Sequence, residues 1–352
     1  MLSNNLVKAL APFALMINKN ALSQTYKVLE VHPERIRSAS AFGILEANIS
    51  LGLSKPFVVD ALSFIAIIKS LPDREPVELE IKGETLHWSA GMATGKLALI
   101  KCDKLPTIED VYVNPGEAVD VPANFVNGLQ LGGLSCGDNS LASAGIFGVV
   151  LDNRTNLMVY SSDDITISSS EIGESIGEFP EQIALSPDAV AALTAVLGKD
   201  AAIAVDEKMV CALSGDYQML LKTVPPLKHD IAKIREPFTA CQHVAKLDPD
   251  RINAFIKRTT ALAESSRHAY VEIAAAQGAI SLSFTEDKAA SEEYYLAEGL
   301  EVPELPPIKV QAARMAKALA HADSLVLDHI GKSVLVLTGK NFSYMMTGKR
   351  DR

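Results

Sequence analysis

Reactive and metal-binding residues are scarce in this sequence. Its four cysteines, Cys102, Cys136, Cys211 and Cys241, stand far apart with no C-x-x-C spacing. That excludes a zinc ribbon and a disulfide framework, and it fits a reducing, cytoplasmic compartment. Seven histidines (His32, His87, His229, His243, His268, His321 and His329) form no H-E-x-x-H or other metal-ligand spacing. There is no G-x-S-x-G, no P-loop and no dinucleotide fingerprint. "LGGLSCGDNS" is rich in glycine but does not lead from a clear strand into a helix, so it reads as a loop. Asp163-Asp164 and Glu292-Glu293 are adjacent acids, which on a strand point to opposite faces and make no acid/base couple. No apolar run approaches the ~20 residues of a membrane span. The opening "LVKALAPFALMI" lacks a basic segment before it and reads as an ordinary helix. These absences point to a non-catalytic protein with no cofactor, no metal and no membrane partner.

What is present suits ordinary cores: of 352 residues, 48% are hydrophobic and 22% charged, enough for two or three domains. The stretch "VELEIKGETLHWSAG" reads as strands. Val77, Leu79 and Ile81 alternate with Glu78 and Glu80, Lys82-Gly83-Glu84 turns the chain, Leu86 and Trp88 alternate again, and Gly91 marks a second turn. Trp88 takes a core-facing position. The same layout returns twice without gaps. Ala201, Ile203, Val205, Val210, Ala212 and Gly215 form one copy, and Leu325, Leu327, Gly331, Val334, Val336 and Gly339 form another. Gly91, Gly215 and Gly339 are spaced 124 residues apart.

A helix precedes each copy: "DALSFIAIIKSL" capped by Asp60, "SPDAVAALTAVL" capped by Ser186 with Pro187 at its first position, and "QAARMAKALAHA" behind Gln311. Each unit also opens with a helical segment, "NNLVKALAPFALMI", "VPANFVNGLQLGG" or "DPDRINAFIKRTTALA". Pro12 is expected to impair the first of these, and three glycines to shorten the second. Strand pairs lie between the helices: "YKVLEV" with "RIRSAS", "GIFGVVLD" with "LMVYSS", and "AYVEIAA" with "AISLSFT". Linkers fall near "TIEDVYVNPGE" and "KIREPFTACQ". The reading is three α+β domains, residues 1–113, 114–238 and 239–352.

Net charge is −10, and it is unevenly placed. Residues 1–113 and 239–352 balance, so the whole excess lies in 114–238. The outer units can therefore each present a basic face. Arg251, Lys257, Arg258, Arg314 and Lys317 mark it on the third unit's helices, and Lys8 and Lys69 on the first. The middle unit offers Lys199, with Asn124, Asn127 and Gln130.

Three successive α+β units in this order resemble the bacterial sliding clamp, the beta subunit of DNA polymerase III, over the whole chain. The stretch "PFVVDALSFIAIIKSLPDREPVELEIKGETLHWSAG" carries the likeness best, followed by "DKLPTIEDV" and the terminal "YMM". The resemblance implies a head-to-tail homodimer, a ring of six clamp domains with helices inside and sheets outside. Such a ring encircles double-stranded DNA without reading its sequence and tethers a replicative polymerase, and a clamp loader places it on DNA. The basic helical residues Lys8, Lys69, Lys199, Arg251, Lys257, Arg258, Arg314 and Lys317 would then face phosphates. Leu97 and Leu99 would meet Ala261 and Leu262 across the dimer interface. A peptide groove would be built from Ile146, Ser161, Asp163, Asp164, Ile165, Pro237, Tyr344, Met345 and Met346. Two stretches depart from the family at this groove: "SSDDITI" stands where the family has "TDGHRL", and "MMTGKRDR" where it ends near "MPMRL". With Asp163 and Asp164 on the rim, the preferred peptide is expected to be less acidic than usual. The alternatives are a repeat-built transferase of the enolpyruvyl-transferase type and a repeat scaffold that binds protein but no DNA. The first needs smaller repeats and a Lys/Arg/Asp cluster that the sequence lacks.

Overall fold

The computed structural model describes residues 1–111, 117–137, 148–198, 200–225, 229–248, 250–251, 254–255, 257–258, 261, 270–276, 279–286, 289–296 and 304–349. The first stretch holds α1 (Ser3–Met16), β1 (Val28–Val31), β2 (Ile36–Ser40), β3 (Gly43–Ala47), β4 (Phe57–Asp60), α2 (Ala61–Ser70), β5 (Val77–Lys82), β6 (Thr85–Ala90), β7 (Ala93–Ala98) and α3 (Ile108–Val111). The second sequence repeat, 114–238, holds β8 (Val119–Asp120), α4 (Phe125–Gly132), β9 (Val149–Asp152), β10 (Asn156–Ser162), β11 (Thr166–Glu174), β12 (Gln182–Leu185), α5 (Pro187–Val196), β13 (Ala202–Val205), β14 (Met209–Ser214), β15 (Tyr217–Lys222) and α6 (Ile231–Arg235), which runs into a 3-10 turn, Glu236–Phe238. The third opens with β16 (Val244–Lys246) and helical residues that include Arg251, Phe255, Lys257, Arg258 and Ala261. It continues with β17 (Tyr270–Ala276), β18 (Ala279–Glu286), β19 (Ala289–Leu296), β20 (Leu305–Gln311), α7 (Ala312–Leu319), β21 (Ser324–Val326), β22 (Val334–Gly339) and β23 (Phe342–Thr347).

Local chemistry explains the element ends. The Asp60 carboxylate accepts the Ser63 N–H at 2.8 Å, and the Ser186 hydroxyl accepts that of Ala189 at 3.2 Å, each a cap worth about 1 kcal/mol. Pro12 does not interrupt α1, contrary to the sequence expectation. It lies inside a helix of 14 residues whose Leu6, Leu10, Phe13 and Met16 are buried. Packing of that stripe outweighs the one lost backbone bond. The repeated glycine turns hold twice: Gly91 and Gly215 both take φ of 56°. In the third copy that left-handed position falls on Asn341 (φ 55°) instead. Gly339 is needed for another reason, since a Cβ there would lie 2.4 Å from the His321 carbonyl oxygen.

The chain forms two compact units, Met1–Val126 with Ile176–Val224, and Asn127–Ser175 with Pro225–Arg352. In the first, one sheet has the order β4-β1-β2-β3-β15-β14-β13-β8, and a smaller one the order β5-β6-β7. In the second, one sheet runs β9-β10-β11-β23-β22-β21-β16 and the other β19-β18-β17-β20. Antiparallel pairing of β3 with β15, and of β11 with β23, joins strands of neighbouring sequence repeats. Compactness and repetition therefore divide the chain differently. No helix among the described residues is long and apolar enough to cross a membrane.

The β3–β15 seam depends on Gly43. A Cβ there would come within 2.3 Å of the Leu220 carbonyl oxygen and 2.9 Å of a Leu221 methyl. Gly43→Ala is expected to cost about 2 kcal/mol through overpacking against backbone that cannot move aside. Urea unfolding at unchanged slope should report it as a lower midpoint; a variant as stable as the parent would contradict the seam.

Candidate functional site

A concave apolar site lies in the second unit, and its floor is one face of a sheet. Cross-strand register places Ser162, Ile167, Met345 and Val336 side by side. The next row on the same face is Tyr160, Ser169, Ser343 and Thr338, and beyond it lie Met158 and Glu171. The opposite face carries Ser161, Ser168, Tyr344 and Leu337, then Thr166, Met346 and Leu335. Side chains alternate along each strand, so the two sets cannot share a surface. The second set faces the unit's main core, where Tyr344, Met346, Leu335 and Leu337 pack with Phe255 and Met315.

Over the open face passes the segment from Asp230 to Phe238. Asp230 caps α6 and accepts from Arg154 Nη1 at 2.7 Å, and the same guanidinium also grips Asp152. Arg154 holds the Asp230 carboxyl down to about 2. A carboxyl whose folded pKa lies below its ordinary value, near 3.9, adds stability that is complete above about pH 4 and is lost as pH falls through 2. Asp230→Asn should therefore flatten the acid limb of unfolding between about pH 4 and pH 2. An unchanged limb would mean that solvent screens the pair.

Between this segment and the floor is a cavity of about 270 Å³, lined by Ile165, Ile167, Ile231, Ile234, Phe238, Val334 and Met345, with Ser162, Asp164, His229, Met346 and Thr347. Ile165 and Ile234 are each 44% exposed, so the mouth itself is apolar. Concave, apolar and open sites of this kind hold ligands or partner side chains. A backbone kink helps shape the mouth, since Asp164 sits at φ 77°.

Three of the expected groove residues, Asp164, Ile165 and Met345, meet at this cavity, and Met346 only touches its edge. Several others do not. Ser161 is fully buried beneath the floor, where its hydroxyl donates to the Gly132 carbonyl at 2.6 Å. Tyr344 is buried on the same lower face, and that burial pushes its phenol pKa up. Met346 is 1% exposed and belongs chiefly to the core, leaving Met345 as the residue on the open face. Pro237 is exposed in the 3-10 turn but does not line the cavity. Asp163 is no rim charge: it accepts the Thr166 N–H at 2.8 Å and pairs with Arg314 Nη1 at 3.0 Å. Ile146 lies outside the described residues. Ile234 and Phe238 were missed because "KIREPFTACQ" reads as a linker, and Ile231 lies just before it; Ile167 and Val334 sit on strands whose facing only the cross-strand register reveals. Ile231, Ile234 and Phe238 recur every three to four residues, and that spacing was the available signal.

The same ion pair corrects the basic face, because half-buried Arg314 is committed to Asp163 and is not an open cation. Lys8 on α1, Lys69 on α2 and Lys317 on α7 are exposed, as are the helical Arg251, Lys257 and Arg258. Lys199 lies outside the described residues. At the expected interface, Leu97 and Leu99 are half-buried and β7 ends its sheet. Ala261 is exposed on its helix, and Leu262 lies outside the described residues.

No family model matches the sequence, and no curated protein matches it significantly. Solved structures do match over essentially the whole chain. The beta subunit of the DNA polymerase of Streptococcus pyogenes is 14% identical with a TM-score of 0.77, covering 100% of this chain and 99% of its own. The DNA polymerase III subunit beta of Pseudomonas aeruginosa is 13% identical with a TM-score of 0.74, over 100% and 99%. The Helicobacter pylori beta clamp, solved with a DNA ligase peptide bound, is 17% identical with a TM-score of 0.75, over 99% and 99%. From end to end, this chain has the fold of the bacterial DNA polymerase III beta subunit, the sliding clamp.

Proposed function

We propose that the protein is a sliding clamp: a homodimeric ring that encircles double-stranded DNA in the cytoplasm and tethers a replicative polymerase after a clamp loader has placed it. The observation that carries this reading is the end-to-end agreement with beta clamps, with neither chain left over. The sequence division at 1–113, 114–238 and 239–352 supplies three clamp domains per chain, six per ring. The protein acts by binding and has no catalytic step. The excess negative charge lies in the middle repeat, while exposed lysines and arginines gather on helices of the outer two. Retention by encirclement needs few and loose phosphate contacts. The apolar cavity beneath Phe238 is the partner-peptide groove in this account, and the ligase peptide held by the Helicobacter pylori clamp supports a peptide as its occupant.

Lys257 and Lys317 are the cations to test for phosphate contact. Changing both to Ala should weaken association with DNA equally for all sequences and flatten the log–log salt dependence by about two units of slope. Filter binding from low to moderate salt measures it. An unchanged slope would return both lysines to an idle solvated face and count against the reading.

A further inference from the structure

The apolar cavity has a polar neighbour. A second cavity of about 310 Å³ lies on the same sheet face, lined among others by Met158, Ser169, Glu171, Arg235, Thr338 and Ser343. Phe238 lines both cavities and stands between them as a shared wall, its ring edge-on to His329 at 5.2 Å. The floor passes without a break from the row of Ile167 and Met345 to the row of Ser169 and Ser343. Two residues of strand separate these rows, roughly 7 Å, which an extended peptide spans in about two residues.

Arg235 distinguishes this second cavity. Among the described residues, the other buried or half-buried arginines all hold carboxylates: Arg35 and Arg37 pair with Glu46, and Arg314 with Asp163. Half-buried Arg235 pairs with none among the described residues. Its Nε is buried without a hydrogen-bond partner, and Tyr160 is the polar neighbour of its guanidinium. Glu171, the carboxylate lining the cavity, accepts from Asn156 Nδ2 at 3.0 Å. A buried guanidinium donor left empty is costly, and a carboxylate fills it best.

We propose that the partner groove continues past Phe238, and that Arg235 binds an acidic side chain of the docked peptide two to three residues from its apolar anchor. This rests on the reading of the apolar cavity as a peptide groove. It also departs from the expectation of a less acidic peptide: Arg314 neutralises Asp163, exposed Asp164 stays at the apolar mouth, and an unfilled cation lies at the groove's other end.

The test uses a random heptapeptide library displayed on phage, panned against the full chain and against Ile165→Glu, Arg235→Gln, Arg235→Glu and Tyr160→Phe. On the parent, selected peptides should carry apolar residues followed two or three positions away by Asp or Glu. Changing that acid to Asn or Gln in a synthetic peptide should weaken binding to the parent about tenfold and leave binding to Arg235→Gln unchanged. Arg235→Glu should select Lys or Arg at the same position, which loss of structure could not produce. Tyr160→Phe should keep the acidic preference. An apolar consensus with no acidic preference, or an acidic preference indifferent to residue 235, would overturn the extension and leave the groove standing. No selected peptides, or an apolar consensus that survives Ile165→Glu, would overturn the groove and the extension with it.

Discussion

Replacing Arg37 with alanine is expected to cost the first unit about 4 kcal/mol, the largest single loss of stability among its polar residues. Arg37 is 4% exposed and lies across β1, β2 and β3 in register with Glu30 on one side and Glu46 on the other. It bonds Glu30 at 3.1 Å and Glu46 at 3.0 Å. Truncation leaves two buried carboxylates without the buried cation between them, Glu46 keeping only partly exposed Arg35 at 3.1 Å, and the penalty is their desolvation more than the lost attraction. Glu46 has a further duty, accepting the backbone N–H of Ile108 at 3.0 Å. That bond ties the segment leaving the first repeat to the sheet, where Leu105 and Ile108 pack with Val28, Ile44 and Leu220. Arg37→Ala should therefore lower the unfolding midpoint and also expose residues 100–111 to limited proteolysis. Lys82→Ala, which breaks a pair more than half exposed on both sides, should change stability by under about 0.5 kcal/mol. A loss of under about 1 kcal/mol for Arg37→Ala would mean that water reaches the triad.

The second large effect concerns assembly. β7 ends the three-stranded sheet of the first unit and β19 ends the four-stranded sheet of the second, each with a backbone edge unpaired among the described residues. Leu97 shares a face with Leu86 and Ile81, so the β7 edge is apolar on one side. Open apolar edges invite strand pairing with another chain. In the proposed ring, β7 of one subunit meets β19 of the next, with Leu97 and Leu99 against Ala261 and Leu262. Leu97→Lys should convert dimers to monomers at micromolar concentration by light scattering, with the circular dichroism of the folded chain retained. A variant that stays dimeric would place the interface elsewhere, and one that unfolds would return Leu97 to its own core.

The fold was more legible than the site, and for a physical reason. Amphipathic period and turn residues are local signals, and they located α2, α5, α7 and the hairpins that follow each of them. Serine-rich β11 escaped notice because its core-facing Ser168, like Ser161 opposite it on β10, satisfies a buried carbonyl at Gly132, and the run of serines shows no hydrophobic alternation. The groove needed cross-strand register, which no single strand reveals: it decides that Met345 faces the cavity while Tyr344 and Met346 face the core. Charge was likewise misread one residue at a time. Asp163 and Arg314 look like a rim acid and an open cation until the fold puts them 3.0 Å apart.

Retention on circular DNA tests the central claim most directly. The protein is loaded by its cognate loader onto a nicked plasmid, excess protein is removed, and half of the sample is cut once with a restriction enzyme. The account predicts that the protein stays with the intact circle through gel filtration at moderate salt, and that it is released when the circle is linearised because a ring slides off a free end. Equal retention on circle and line, or none on either, would contradict encirclement.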